Sequence, residues 1–88
     1  MKRAEILDEA KECVMVDRAA DHGDLEDNFV LIARYWSNHL DAQITPADVG
    51  IMMTLLKIAR MKGNPNHKDN YRDGVGYMAC AYEVSDVD

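Results

Sequence analysis

The chain has 88 residues and a mass of 9.9 kDa, which is enough for one compact domain. Its composition, 48% hydrophobic and 30% charged, is typical of a folded globular protein and too apolar for a disordered one. The net charge of −6 argues against a protein that coats duplex DNA or binds an anionic membrane, because both functions require basic patches.

We expect neither a membrane span nor a secretory leader in this chain. Uncharged stretches such as residues 49–56 are much shorter than the roughly 20 apolar residues that cross a bilayer. Acidic residues begin at Glu5, and this pattern is not the one expected of an apolar leader segment. We therefore expect a cytoplasmic protein whose two cysteines, Cys13 and Cys80, are reduced and packed in the core.

The first half of the chain predicts two helices, over residues 3–18 and 24–40. Apolar residues recur every three or four positions in both segments, as on one face of a helix. Gly23 separates the two segments as a turn residue, and Asp24 is a typical N-cap for the second. The outer face of the first helix carries an acidic ladder that we expect to be solvated: Glu5, Asp8, Glu9 and Glu12.

The second half predicts helices over residues 46–62 and 68–84. Thr45, Pro46 and Asp48 form a helix-start signature, and Gly63 with Pro65 marks the end of that helix. The third helix is apolar around most of its circumference, so we expect it to lie centrally or in a subunit interface. In the fourth helix, the spacing predicts a core stripe of Tyr71, Val75, Met78 and Tyr82.

These four segments predict an all-α fold with a single helical domain over residues 1–88. The short connections between the helices favour a small four-helix bundle. A core of this size is marginal, and the third helix adds apolar surface, so we expect a homo-oligomer.

Charged residues on the last two helices form the first candidate site. Lys57 and Arg60 lie three apart on the third helix, and Asp69 and Asp73 lie four apart on the fourth. The two aspartates are able to bind a hard cation such as Mg²⁺, while the two cations are able to neutralise phosphate groups. Alternatively, the four side chains form structural ion pairs with one another.

The turn before the second helix contains the second candidate site. Asp24 and Asp27 are three apart and provide a second pair of metal-facing carboxylates, with His22 as a polar ligand contact. Helix capping by Asp24, with acids in the first turn, explains the same residues without a ligand.

An ordered set of motifs resembles a family of small, largely uncharacterised phage and prophage proteins. The motifs cover roughly residues 6–84 and comprise HGDLEDNF from His22, TPADV from Thr45, KIAR from Lys57, NPNHKD from Asn64 and the pair Gly76-Tyr77. The order of these motifs is also distantly similar to the all-α MazG-like nucleotide pyrophosphohydrolases. Residues 8–12 imitate the first half of the acidic MazG motif, whereas its second half is only approximated by Asp24 with Asp27 or by Asp69 with Asp73.

The resemblance implies a phage nucleotide-handling module, located in the host cell cytoplasm. In that interpretation, Mg²⁺ is held by Asp24, Asp27, Asp69 and Asp73, and the bound nucleotide contacts His22, Lys57, Arg60 and Tyr77. Pyrophosphohydrolysis of the nucleotide is the enzymatic form of this hypothesis. The alternative is a non-catalytic acidic accessory protein that binds or inhibits a host factor, for example by presenting carboxylates in place of nucleic-acid phosphates.

Overall fold

The structure, a computed structural model, describes residues 2–17 and 23–85. Four α-helices cover most of these residues, and no β-strand occurs among them. They are α1 (Arg3–Glu12), α2 (Leu25–Leu40), α3 (Pro46–Gly63) and α4 (Lys68–Val84), with a π-helical segment at Cys13–Asp17 that continues α1. The all-α prediction is confirmed.

The helix-start signals in the sequence function as predicted. The Asp24 side chain accepts a hydrogen bond from the backbone N–H of Asp27 at 3.2 Å and so caps α2. At the start of α3, the Thr45 hydroxyl accepts from the N–H of Asp48, whose carboxylate accepts from the N–H of Thr45. This reciprocal pair is a capping box, and Pro46 follows it at the first helical position.

An antiparallel hairpin of α3 and α4 forms the centre of the molecule. Gly50 near the start of α3 contacts Ala81 near the end of α4, and Lys57 lies beside Asp73. Helix α1 packs against α4, and α2 packs mainly against α3. The backbones of α1 and α2 are not neighbours in the described chain, and the α1 side reaches the core through Val14, which packs against the cluster that includes Phe29 of α2.

The hydrophobic core is small and lies between α2 and the hairpin. Its buried members are Phe29, Ala33, Val49, Cys80 and Val84. Trp36 and Tyr77 pack against this cluster while keeping part of their surface exposed. None of the described helices combines the length and the apolar composition needed to cross a membrane.

The predicted first helix changes its hydrogen-bonding pattern after Glu12. It continues as the π-helical segment, where Val14 approaches α4 so closely that a Cβ added at Gly76 would lie 2.8 Å from Val14 Cγ1. Arg18, the predicted last residue, lies outside the described range. Within the acidic ladder, Glu9 is paired with Lys68 at 2.9 Å and so ties α1 to the start of α4, instead of being fully solvated.

The predicted core stripe of α4 was wrong. Its four large residues lie on the outside of the hairpin, and the most exposed of them, Tyr82, keeps 79% of its surface accessible. The inward side of α4 instead carries several small residues, including Gly76, Cys80 and Ala81. Small side chains permit close helix packing. In α4 these small residues are therefore buried, and the four large residues of the predicted stripe are exposed.

Helices α3 and α4 approach each other closely at Gly50. A Cβ added there would lie 2.7 Å from Ala81 Cβ and 2.9 Å from the carbonyl oxygen of Tyr77. The backbone carbonyl belongs to the packed helix and cannot rotate away as a flexible side chain would. The absence of a side chain at residue 50 therefore sets the separation of the two central helices.

We expect Gly50→Ala to destabilise the protein by about 1–3 kcal/mol, the usual cost of an overpacked core, even though alanine favours helix formation. Gly63→Ala is the matched control, because a Cβ at Gly63 meets nothing within 4 Å and the residue is still helical. Urea unfolding of both variants measures the difference. Equal stability of the two variants would contradict the close packing at Gly50.

Candidate functional site

A network of ion pairs connects α3 and α4 at the middle of the hairpin. Lys57 Nζ lies 3.0 Å from Asp73 Oδ2, and both side chains are mostly buried, with 13% and 20% of their surface exposed. Arg72 Nε donates to the other oxygen of Asp73 at 2.9 Å. Arg72 Nη1 also lies 3.2 Å from Asp69 Oδ1, so the arginine bridges the two predicted metal carboxylates.

The network determines the ionisation of Asp73. Burial by itself raises the pKa of this carboxyl, but hydrogen bonds from Arg72 and Lys57 outweigh burial and hold the pKa below its ordinary value. The hydrogen bond to Asp73 likewise raises the pKa of Arg72. Asp73 is therefore a carboxylate with one cation on each oxygen, which is the arrangement of a structural ion pair.

A cleft of about 340 Å³ opens next to this network, between the end of α3 and the start of α4. Four of the predicted site residues line it together: Lys57, Arg60, Asp69 and Asp73. The rest of its lining comes from Asn64, His67 and Asn70. The loop between α3 and α4 is short, so it brings the charged ends of the two helices to the same opening.

Three side chains that line the cleft make no bond within the described chain: those of Arg60, Asn64 and Asn70. Arg60 is exposed, and its guanidinium forms neither an ion pair nor a hydrogen bond with any described residue. Asn70 is only 4% exposed as a residue, and its side-chain amide makes no hydrogen bond with another described residue. No fully buried side-chain nitrogen or oxygen of the described residues lacks a partner, so the Asn70 amide opens onto the cleft, where it is available to a group that enters.

The second predicted pair of metal ligands is not part of this cleft. Asp24 is occupied as the N-cap of α2, and Asp27 follows it in the first turn of that helix. His22 lies outside the described residues. Within the described part of the chain, no group of three or more His, Cys, Asp or Glu side chains is arranged to hold a metal ion.

Tyr77 lines a different, smaller cavity of about 150 Å³ on the α1 side of α4. Cys13, Val14 and Gly76 contribute to the same cavity, and Arg72 and Asp73 form the wall that faces the larger cleft. Asp73 lines both this cavity and the cleft, whereas Tyr77 lines only the cavity.

Four residues of this region were not predicted from the sequence as site residues: Arg72, Asn64, His67 and Asn70. Arg72 follows Asp69 by three residues on one helix, a spacing that favours an ion pair, and this signal was available in the sequence. The other three residues lie in or next to the loop that joins the two charged helices. The short loop containing Pro65 favours antiparallel packing of these helices, and that packing brings the three residues to the cleft.

Comparison with known proteins identifies relatives of this chain. The sequence profile described as "Domain of unknown function (DUF6378)" matches residues 5–85. The chain is 37% identical over 79 residues to the Gene 55 protein of Mycobacterium phage D29, covering 90% of this chain and 52% of the relative. It is 42% identical over 73 residues to the Gene 55 protein of Mycobacterium phage L5, covering 82% and 47%.

The chain thus spans about half the length of the curated relatives it matches. No solved structure matches its fold.

We expect Asp73→Asn to lower the free energy of unfolding at pH 7 by about 1–3 kcal/mol, because it weakens charged hydrogen bonds and leaves the mostly buried Lys57 unpaired. A carboxyl with a depressed folded pKa stabilises the protein above its unfolded pKa, and this contribution is lost as the pH falls through the folded pKa. The difference in free energy of unfolding between the parent and Asp73→Asn should therefore become smaller below about pH 4.

Urea unfolding across that pH range measures this difference. Asp69→Asn is the control, since the Asp69 side chain is 44% exposed and its ion pairs contribute at most about 1 kcal/mol. If the difference in free energy of unfolding between the parent and Asp73→Asn stays constant down to pH 3, the ion pairs of this carboxylate do not stabilise the fold.

Proposed function

Because the chain belongs to the family described as Domain of unknown function (DUF6378), which has phage relatives, we propose that it is a phage-type nucleotide-handling module. The cleft between α3 and α4 binds the phosphate groups of a nucleotide. The observation that carries this proposal is that the Arg60 guanidinium and the Asn70 amide line the cleft without a bond to any other described residue.

The chemistry of these two groups suits a phosphate. A guanidinium donates two parallel hydrogen bonds to phosphate oxygens, and it stays charged at all physiological pH values. The amide of Asn70 is able to donate two further hydrogen bonds from the wall of the cleft. Both residues lie on helices joined by a short loop, so the backbone that carries them is already ordered before a ligand binds.

The ion pairs at the cleft leave one cation for an anion. Lys57, Arg60, Asp69 and Asp73 line the cleft, and Arg72 pairs with both aspartates from outside its lining. Lys57 and Arg72 are neutralised by the aspartates, so Arg60 is the cation available to a ligand. A phosphate bound to Arg60 leaves the ion-pair network intact.

The size of the cleft restricts which part of a nucleotide it holds. Its volume of about 340 Å³ is near the lower end of small-molecule sites, which span roughly 300–1,000 Å³. That space accommodates the phosphate groups and leaves the base and sugar against the outer rim. We therefore propose recognition mainly through phosphates, with little selection among bases.

Mg²⁺ binds in the cleft together with the phosphate groups in this proposal. Mg²⁺ is usually bound through one or two carboxylates plus substrate oxygens and waters, so Asp69 and Asp73 suffice as protein ligands. Asp69 is the more accessible of the two, since its side chain is 44% exposed. A metal held by Asp73 has to compete with Lys57 and Arg72 for the same oxygens.

Nucleotide binding has more support than cleavage. Hydrolysis of a phosphoanhydride by the MazG-like route depends on several carboxylates around the metal, and Asp24 and Asp27 do not line the cleft. The similarity to MazG-like pyrophosphohydrolases stays a prediction.

The acidic-accessory hypothesis also has one favourable observation. Glu5, Asp8 and Glu12 are exposed along α1, on the outside of the molecule. Such a row of carboxylates is able to occupy a basic groove of a host protein. Binding of a basic host protein that is lost in an Asp8→Asn, Glu12→Gln double variant, without any nucleotide response in the parent, would favour this alternative.

We expect a nucleoside triphosphate to raise the melting temperature of the parent protein and to raise it much less in Arg60→Gln. At ten times its Kd, a ligand stabilises the native state by about 1.4 kcal/mol, which corresponds to several degrees for a domain of this size. Loss of one charged hydrogen bond should weaken binding about tenfold or more. Thermal shift with and without Mg²⁺, followed by calorimetry, measures both effects.

Arg34→Gln is the matched control, because Arg34 is an exposed arginine on α2 and does not line the cleft. Asn70→Ala tests the Asn70 amide separately. Equal responses of the parent and Arg60→Gln, or no response to any nucleotide with or without Mg²⁺, would contradict phosphate binding in this cleft.

A further inference from the structure

One side of the α3–α4 hairpin is an uncovered apolar face. Leu55 at its centre is 57% exposed, and Tyr82 at one end is 79% exposed. We call this surface the hairpin face; its members are Ile51, Leu55 and Ile58 on α3 and Tyr71, Val75, Met78 and Tyr82 on α4.

Helical spacing places these residues on one side of the hairpin. The three residues of α3 are four and three apart, and the four residues of α4 are four, three and four apart, so each set forms a single row. Pairing of Lys57 with Asp73 brings Leu55 level with Val75, so the two rows run side by side.

The outer helices occupy the opposite side of the hairpin. Helix α2 contacts α3 through Val49, and the segment after α1 contacts α4 at Gly76. Both contact positions lie away from the two rows. No helix of the described chain therefore covers the hairpin face.

The exposed area is large for a protein of this mass. The chain exposes 6293 Å², whereas a monomer of 9.9 kDa is expected to expose about 5,200 Å². From their exposed fractions, the seven side chains together present roughly 700–800 Å², and a standard protein interface buries about 800 Å² per partner. Contiguous apolar patches of this size normally mark interaction sites on soluble proteins.

We propose that the hairpin face binds the hairpin face of a second copy of this chain, forming a symmetric dimer with four central helices. The area matches what each partner contributes to a stable interface. The two rows carry no charged side chain, so a second copy meets no like-charge repulsion at the centre of the contact. Because a two-fold contact uses the same patch twice, one apolar face is sufficient for both partners.

The hairpin face is separate from the nucleotide cleft, and different variants test the two. Leu55 and Val75 lie on the outer rows of the hairpin and do not line the cleft, so a variant that separates the copies leaves Arg60 and Asn70 in place. Loss of dimerisation and loss of nucleotide binding are therefore measured independently.

Sedimentation equilibrium of the parent at about 50 µM should give twice the mass of 9.9 kDa, and the melting temperature should rise with protein concentration. Leu55→Glu should give the monomer mass, because it places a charge at the centre of the contact. Leu31→Glu is the matched control, since Leu31 is a 49% exposed leucine on α2 outside the hairpin face, and it should remain dimeric.

Circular dichroism shows whether Leu55→Glu is still helical. A helical monomer supports the proposal, and so does a variant that unfolds while Leu31→Glu stays folded, because folding then depends on the covered face. A parent that is monomeric with a concentration-independent melting temperature, an assembly of more than two copies, or a Leu55→Glu variant with the dimer mass would overturn it.

Discussion

The close approach of α3 and α4 at Gly50 is the constraint on which the other features of the molecule depend. Because no side chain separates α3 from Ala81 and the Tyr77 carbonyl, the two helices lie near enough for Lys57 to reach Asp73 at 3.0 Å. The mostly buried ion pair then fixes the register of the hairpin. Helices α1 and α2 both pack against this hairpin, and their backbones are not neighbours in the described chain.

The same hairpin explains why some polar groups at the cleft are bonded to one another and others are not. Asp73 has both oxygens bonded to cations and therefore belongs to the structure, whereas Arg60 and Asn70 have no partner among the described residues. The proposed phosphate site uses this second set and is supported by the first. The ion-pair network holds together the two helices that carry Arg60 and Asn70, and its more accessible carboxylate, Asp69, is the one better placed for the proposed Mg²⁺.

Small residues on the inner side of α4 have a consequence on the outer side. When glycine, alanine and cysteine form the packed surface, the large apolar residues of the same helix are left facing outward. The chain therefore has a small core and an uncovered apolar face, and the proposed dimer provides the missing burial. The phage relatives are about twice as long as the region they share with this chain.

The sequence by itself determined the four helices and their starts, because apolar spacing and the capping residues Asp24 and Thr45 act within a few residues of one another. It also singled out Lys57, Arg60, Asp69 and Asp73, four of the residues that line the cleft. Only the tertiary structure decided which face of α4 is buried and that Asp24 lies apart from this cleft. Periodicity shows that a helix has an apolar face, but the contact distance between two backbones decides whether large or small residues are the ones covered.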